Sequence, residues 1–255
     1  MSSSPDNRSS LSIKYSFADS NSARLDAVLA ELEREIGGMR APYWIRGGAI
    51  DFVTFLELTL TWVVGTTLSQ LFKKYAEGLL DADSIKKMGE SHRVELRNWY
   101  STVESQINSI VDSVERIRSI TPIFTFQDHE ECLALVFGLP NGARCYVVLN
   151  HSRMSSAMLK RIPQAVVNTL RYAIEDGLPE DVRVAQLYYD RDTDSWPYLF
   201  IPTLDGFGNF VDRYIDLESR HVHTLLSADE FLLKFSPDEG ERLQLIISPL
   251  HHNAS

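Results

Sequence analysis

The sequence predicts an α+β fold: a mostly helical N-terminal part, then a mixed and predominantly antiparallel sheet with one main helix. Three observations lead there. A heptad pattern runs through 83–119, apolar runs of strand length recur after Thr121, and one alternating segment at 11–17 precedes the helices. The expected organisation is a flexible tail over 1–10, a helical oligomerisation or bundle part over 11–120, and an α+β domain over 121–255; the alternative is that the leading strand joins the C-terminal sheet, so that the two parts are not independent.

Leu11, Ile13, Tyr15 and Phe17 alternate with polar residues and predict a leading strand. Asp19-Ser20-Asn21-Ser22 offers N-caps for an amphipathic helix, in which Leu25, Val28, Leu29, Leu32 and Ile36 share one face. Gly37-Gly38 stops that helix. An aromatic connector at 42–48 leads into 50–72, the most apolar stretch of the chain, which is expected to form a buried apolar helix. On a helix, Thr54, Glu57, Thr61, Gly65 and Ser69 would make a narrow polar and small-residue stripe, suited to close approach by a neighbouring helix. The competing reading is a membrane-inserting helix released on activation, with Thr61, Gly65 and Ser69 as its self-association face. Glu57 opposes a resting span, because a carboxylate at mid-bilayer costs roughly 2–3 kcal/mol on insertion scales.

The third helix, 83–119, is the clearest element. Leu96, Val103, Ile110 and Ile117 recur every seven residues, and Tyr100, Ile107 and Val114 interleave with them. This is a coiled-coil seam held for three heptads. It can serve an intramolecular antiparallel bundle with 50–72 or a parallel oligomerisation helix. Isoleucine and valine at both seam positions suit three or more strands.

After Thr121 the pattern changes. Strands are expected at 122–126, 131–137 and 144–150, with a hairpin turn at Asn141-Gly142. That turn sets paired residues to sum to 283, which places Cys145 opposite Gly138 and away from Cys132. A helical stretch starts at Ser155; Pro163 suits the first turn of a helix that runs to Asp176, with Gly177 behind it. Further strands are expected at 182–189, 196–201, 210–215 and 242–248, with a short helix from Ser227 to Phe231.

Composition narrows the function classes. The 255 residues are 44% hydrophobic and 24% charged, which fits a globular protein and excludes a disordered or fibrous one. A net charge of −10 argues against non-specific nucleic-acid binding. The polar N-terminus carries no secretory h-region, and the two cysteines are expected to be reduced core thiols, so a cytoplasmic location is expected.

No complete catalytic or metal motif emerges, and no cofactor is expected. Asp190-x-Asp192-x-Asp194 begins like a calcium loop, but the sixth and twelfth positions are Ser195 and Ile201, so a hairpin turn is the better reading. His221-Val222-His223 would place two imidazoles on one face of an extended segment, short of a full ligand set. His129-Glu130-Glu131 lacks the second histidine of a zinc-protease helix. Arg46-Gly47-Gly48 is read as a loop entering a helix. Cysteine–histidine chemistry would have to pair Cys145 with His151 or His129.

Charge is segregated. Residues 151–174 contain no acid and carry Arg153, Lys160, Arg161 and Arg171, a candidate basic contact face. Residues 175–241 carry sixteen acids and five bases, a net of 5 − 16 = −11. The first expectation is therefore a non-enzymatic assembly protein. It would form a homo-oligomer through 83–119 and present its acidic α+β domain to a protein partner. The alternatives are a hydrolase-like enzyme with a site assembled from scattered residues, and a membrane-acting protein.

Overall fold

The structure, a computed structural model, describes residues 10–17, 22–36, 38–42, 54–61, 90–120, 131–149, 155–179, 181–190, 193, 195–202, 211–225 and 235. Among these, the strands are β1 (Ser10–Phe17), β2 (Gly38–Pro42), β3 (Thr54–Thr61), β4 (Glu131–Gly138), β5 (Arg144–Val148), β6 (Val184–Asp190), β7 (Ser195–Pro202), β8 (Val211–Asp216) and β9 (His221–Thr224). The helices are α1 (Ser22–Ile36), α2 (Glu90–Ile120), α3 (Ser156–Leu159) and α4 (Ile162–Glu175). Together they form an α+β fold around one mixed sheet, with strand order β2-β1-β3-β4-β5-β6-β7-β8-β9.

Three pairings are parallel: β1 with β2, β3 with β4, and β5 with β6. A parallel pair needs a long crossover, and here each crossover contains helix. α1 lies between β1 and β2 in the chain, α2 between β3 and β4, and α3 with α4 between β5 and β6. The remaining neighbours are antiparallel.

The largest correction concerns 50–72. Thr54–Thr61 is not helical; it is strand β3, antiparallel to β1 and parallel to β4. Leu58 and Leu60 enter the main core, whereas Glu57 and Thr59 alternate to the opposite face. A strand buried on both faces reads as a continuous apolar run, which conceals its period of two. Glu57 is buried, and the Thr59 hydroxyl donates to its Oε1 at 2.9 Å. The remainder of 62–72, with Gly65 and Ser69, lies outside the described residues. Among the described residues, no helix is long and apolar enough to cross a membrane.

β3 also makes the sheet continuous across the boundary expected at residue 120. β1, β2 and β3 come from the first part and extend the sheet of the second. On one face, Leu11, Ile13, Leu58, Leu60, Leu133, Leu135, Cys145 and Val147 join the apolar faces of α1, α2 and α4 in a single core. On the other, Ala134, Val136, Tyr146, Val148, Val184, Phe200 and Tyr214 are buried as well.

Local signals account for the ends of α3 and α4. The Ser155 hydroxyl caps α3 by accepting from the Met158 amide at 3.3 Å. Pro163 sits in the first turn of α4, where no intrahelical donor is needed. Gly177, at φ 82°, ends α4 in the left-handed conformation, and its amide donates to the Tyr172 carbonyl.

The β4–β5 hairpin differs from expectation by one residue. Its pairs sum to 282: Cys145 lies opposite Phe137 and Arg144 opposite Gly138. The reason is a three-residue loop. Leu139 and Ala143 close it at 2.8 Å, the Gly142 amide donates to the Leu139 carbonyl, and Gly142 takes φ 83°. The expected strands at 122–126 and 242–248 and the helix at 227–231 lie outside the described residues.

Candidate interaction surface

The predicted seam is fully occupied within one chain. Val103, Ile107, Ile110, Val114 and Ile117 are completely buried, and Leu96 and Tyr100 nearly so. α2 lies between α1 and α4, packed against both. Within the chain the seam shares its core with α1, α4 and the sheet; the expected partner segment 50–72 contributes Leu58 and Leu60 to it, as strand β3 rather than as a helix. Arg116 ties α2 to α1 through Glu31 at 2.5 Å, and its other nitrogen donates to the buried Ser113 hydroxyl. The unbroken seam is the core of the fold and leaves little apolar surface for a second helix. Among the described residues of α2, Val94 is the one large hydrophobic residue that is exposed.

The basic residues do not converge. Lys160 and Arg161 are exposed at the junction of α3 and α4. Arg171 is ten residues further along α4, roughly 15 Å away at helical rise. Its guanidinium lies 5.1 Å above the Tyr100 ring, an intramolecular cation–π contact. Arg153 lies outside the described residues. Tyr100 itself is held far from ionisation. Burial pushes its pKa up, and the Glu175 charge adds to that push against the opposing effect of Arg171 and Arg220.

Arginines within the acidic segment pair with some of its carboxylates. Arg220 pairs with Glu175 and Asp176, and Arg213 pairs with Asp181. The Asp216 carboxylate accepts from the amides of Glu218 and Ser219 at 2.9 and 3.0 Å. Burial works to raise the Asp216 pKa, but those amide hydrogen bonds outweigh it and hold the group below the usual carboxylate range.

These contacts build the β8–β9 hairpin; its first strand matches the expected strand at 210–215, and its second, β9, is not among the expected strands. Asp216 opens the turn and Arg220 closes it, in a left-handed conformation at φ 61°. Glycine would fit that backbone at lower cost. Arginine stands there with its side chain anchored on the last turn of α4, where the helix C-terminus and two carboxylates concentrate negative charge. β9 follows, paired to β8 without a register shift. It ends the sheet order, and His221, Val222, His223 and Thr224 are all exposed.

The two faces of β9 differ. Val222 lies across from Ile215, on the side of the helices, and is 46% exposed. His221 and His223 share the opposite side, as expected for an extended segment. His223 stacks on Tyr214 at 4.6 Å with planes 7° apart. Tyr214 belongs to an aromatic cluster with Tyr188, Tyr198, Phe200 and Phe235. The Tyr188 hydroxyl donates to the Phe235 carbonyl at 3.0 Å.

The other candidates stay apart. Cys145 is a buried free thiol whose pKa burial drives up, opposite to what a nucleophile needs. His129, His151 and the side chain of Cys132 lie outside the described residues. Asp190 turns between β6 and β7 and accepts from Thr193 at 2.8 Å; Asp192 and Asp194 are not described. Among the described residues, no group of three histidine, cysteine or acidic side chains could hold a metal ion. Two features could have flagged β9 from sequence: an aspartate at a turn start, then a His-Val-His alternation. No family model, curated protein or solved structure matches the chain.

Proposed function

We propose that this chain is a non-enzymatic assembly protein, whose α+β fold serves as a scaffold for association with a second protein chain. The observation that carries the reading is the outer edge of β9. Folded proteins commonly guard a sheet edge with lysine, proline, a bulge or a covering element. β9, which ends the sheet among the described residues, is short at four residues but carries none of the first three, and all four of its side chains are exposed, with Val222 the most exposed large apolar residue described. The hairpin is braced from behind by Arg220 on α4, so the edge is presented on a rigid support. The α2 seam, which sequence alone assigns to association, serves the core in this reading.

Light scattering of the purified chain from low to tens of micromolar tests self-association. The expected result is a mass that rises above 29.0 kDa with concentration. A constant monomer mass across that range contradicts it.

A further inference from the structure

The geometry points to one occupant for the β9 edge: β9 of a second copy, antiparallel, about a two-fold axis at Val222. This rests on the assembly reading above. Three features of the strand support it.

The first is its sequence. A two-fold axis requires a patch that complements itself. His221-Val222-His223 reads the same in both directions about Val222. An antiparallel pairing centred there sets Val222 opposite Val222 of the second copy and each His221 opposite a His223. The valines then meet on the helix side and the imidazoles on the side of Tyr214, because the faces of β9 are already fixed by its register with β8.

The second is charge. The pairing brings Arg220 of each copy opposite Thr224 of the other. Arg220 is neutralised within its own chain by Glu175 and Asp176, so no uncompensated charge faces the new strand. The Asp216 carboxylate is held within the turn by the amides of Glu218 and Ser219.

The third is exposure. The apolar residue at the centre of the pairing is 46% exposed in the single chain, and the strand that carries it ends the sheet among the described residues. Four residues make a small interface, so the dimer belongs to the weak, concentration-dependent class rather than the permanent one.

The test uses the full chain. Val222→Lys places two like charges face to face at the axis, on an exposed position where the fold tolerates it. Sedimentation or light scattering should show a dissociation constant raised at least tenfold, with an unchanged unfolding midpoint. Independently, Val222→Cys should form an intermolecular disulfide under oxidised glutathione, because two residues opposed on an antiparallel pair lie within bridging distance. Val94→Cys, exposed on α2, is the control and should not cross-link faster than the unmodified chain. A wild-type dimer that survives Val222→Lys, with no cross-link at 222, overturns the edge pairing and leaves the assembly reading standing. A wild-type chain that stays monomeric overturns both.

Discussion

Arg220, in the β8–β9 turn, reaches Asp176 at the end of α4, with Nη1 2.6 Å from Oδ2, while its own backbone sits at φ 61°. The side chain and the backbone therefore pull in opposite directions. The left-handed conformation costs a non-glycine residue of order 1 kcal/mol, and two partly exposed ion pairs return a similar amount.

That balance predicts a ranking. Arg220→Ala keeps the strained backbone and loses both ion pairs; Arg220→Gly loses the ion pairs but relieves the backbone. Chemical denaturation should show Arg220→Ala less stable than Arg220→Gly by about 1 kcal/mol. An alanine variant as stable as the glycine variant contradicts the strain at this turn.

A second prediction concerns the seam. Ile107 is completely buried between the helices and the sheet. Ile107→Ala should cost about 2–5 kcal/mol, the range for deleting a buried aliphatic side chain. Ile107→Asp with Ile110→Asp should unfold the chain outright, since unpaired carboxylates would enter that core. The loss from Ile107→Ala, read as a shift in urea midpoint, should be the same at every protein concentration. A loss that vanishes at high concentration would return the seam to an intermolecular role.

The seam shows what a sequence can and cannot say. Seven apolar residues at heptad spacing located α2, and Pro163 and Gly177 marked the ends of α4, because such signals act within a few turns of chain. The identity of the seam's partner depends on residues far away in sequence, and the heptad pattern is the same for α1, α4 or a second copy. Thr54–Thr61 reads as helix in the sequence, although it is strand β3, for a related reason. Leu56, Leu58 and Leu60 do alternate with Glu57, Thr59 and Thr61, but apolar flanks at Phe52, Val53 and Trp62 bury the alternation in a longer run. β2 and β9 are too short to carry a period of their own, so the candidate surface at β9 was visible only as a His-Val-His triplet. The one-residue error in the β4–β5 hairpin reflects loop length: Asn141-Gly142 marks a turn, and the choice between two and three loop residues is made by the strands on either side.

A third prediction concerns pH. The side-chain hydrogen bond and charge of Arg213 hold the Asp181 carboxyl below its ordinary range. A carboxyl with a depressed folded-state pKa contributes stability above its unfolded pKa of about 4 and loses it as pH falls through the folded value. Asp181→Asn should therefore be slightly less stable than wild type at neutral pH, by under about 1 kcal/mol because Asp181 is exposed. The gap should close below pH 4 in thermal unfolding of the two proteins side by side. A gap that persists unchanged at pH 3 contradicts the ion pair as its source.

The central claim is that association uses the β9 edge and that α2 serves the core. Amide hydrogen exchange at two protein concentrations, one below and one above the onset of association, tests it most directly. Edge amides with no inward partner exchange quickly, and a new strand protects them. The account predicts that protection rises with concentration within 221–224 and stays constant across 90–120. A rise across 90–120 with none in 221–224 would contradict it.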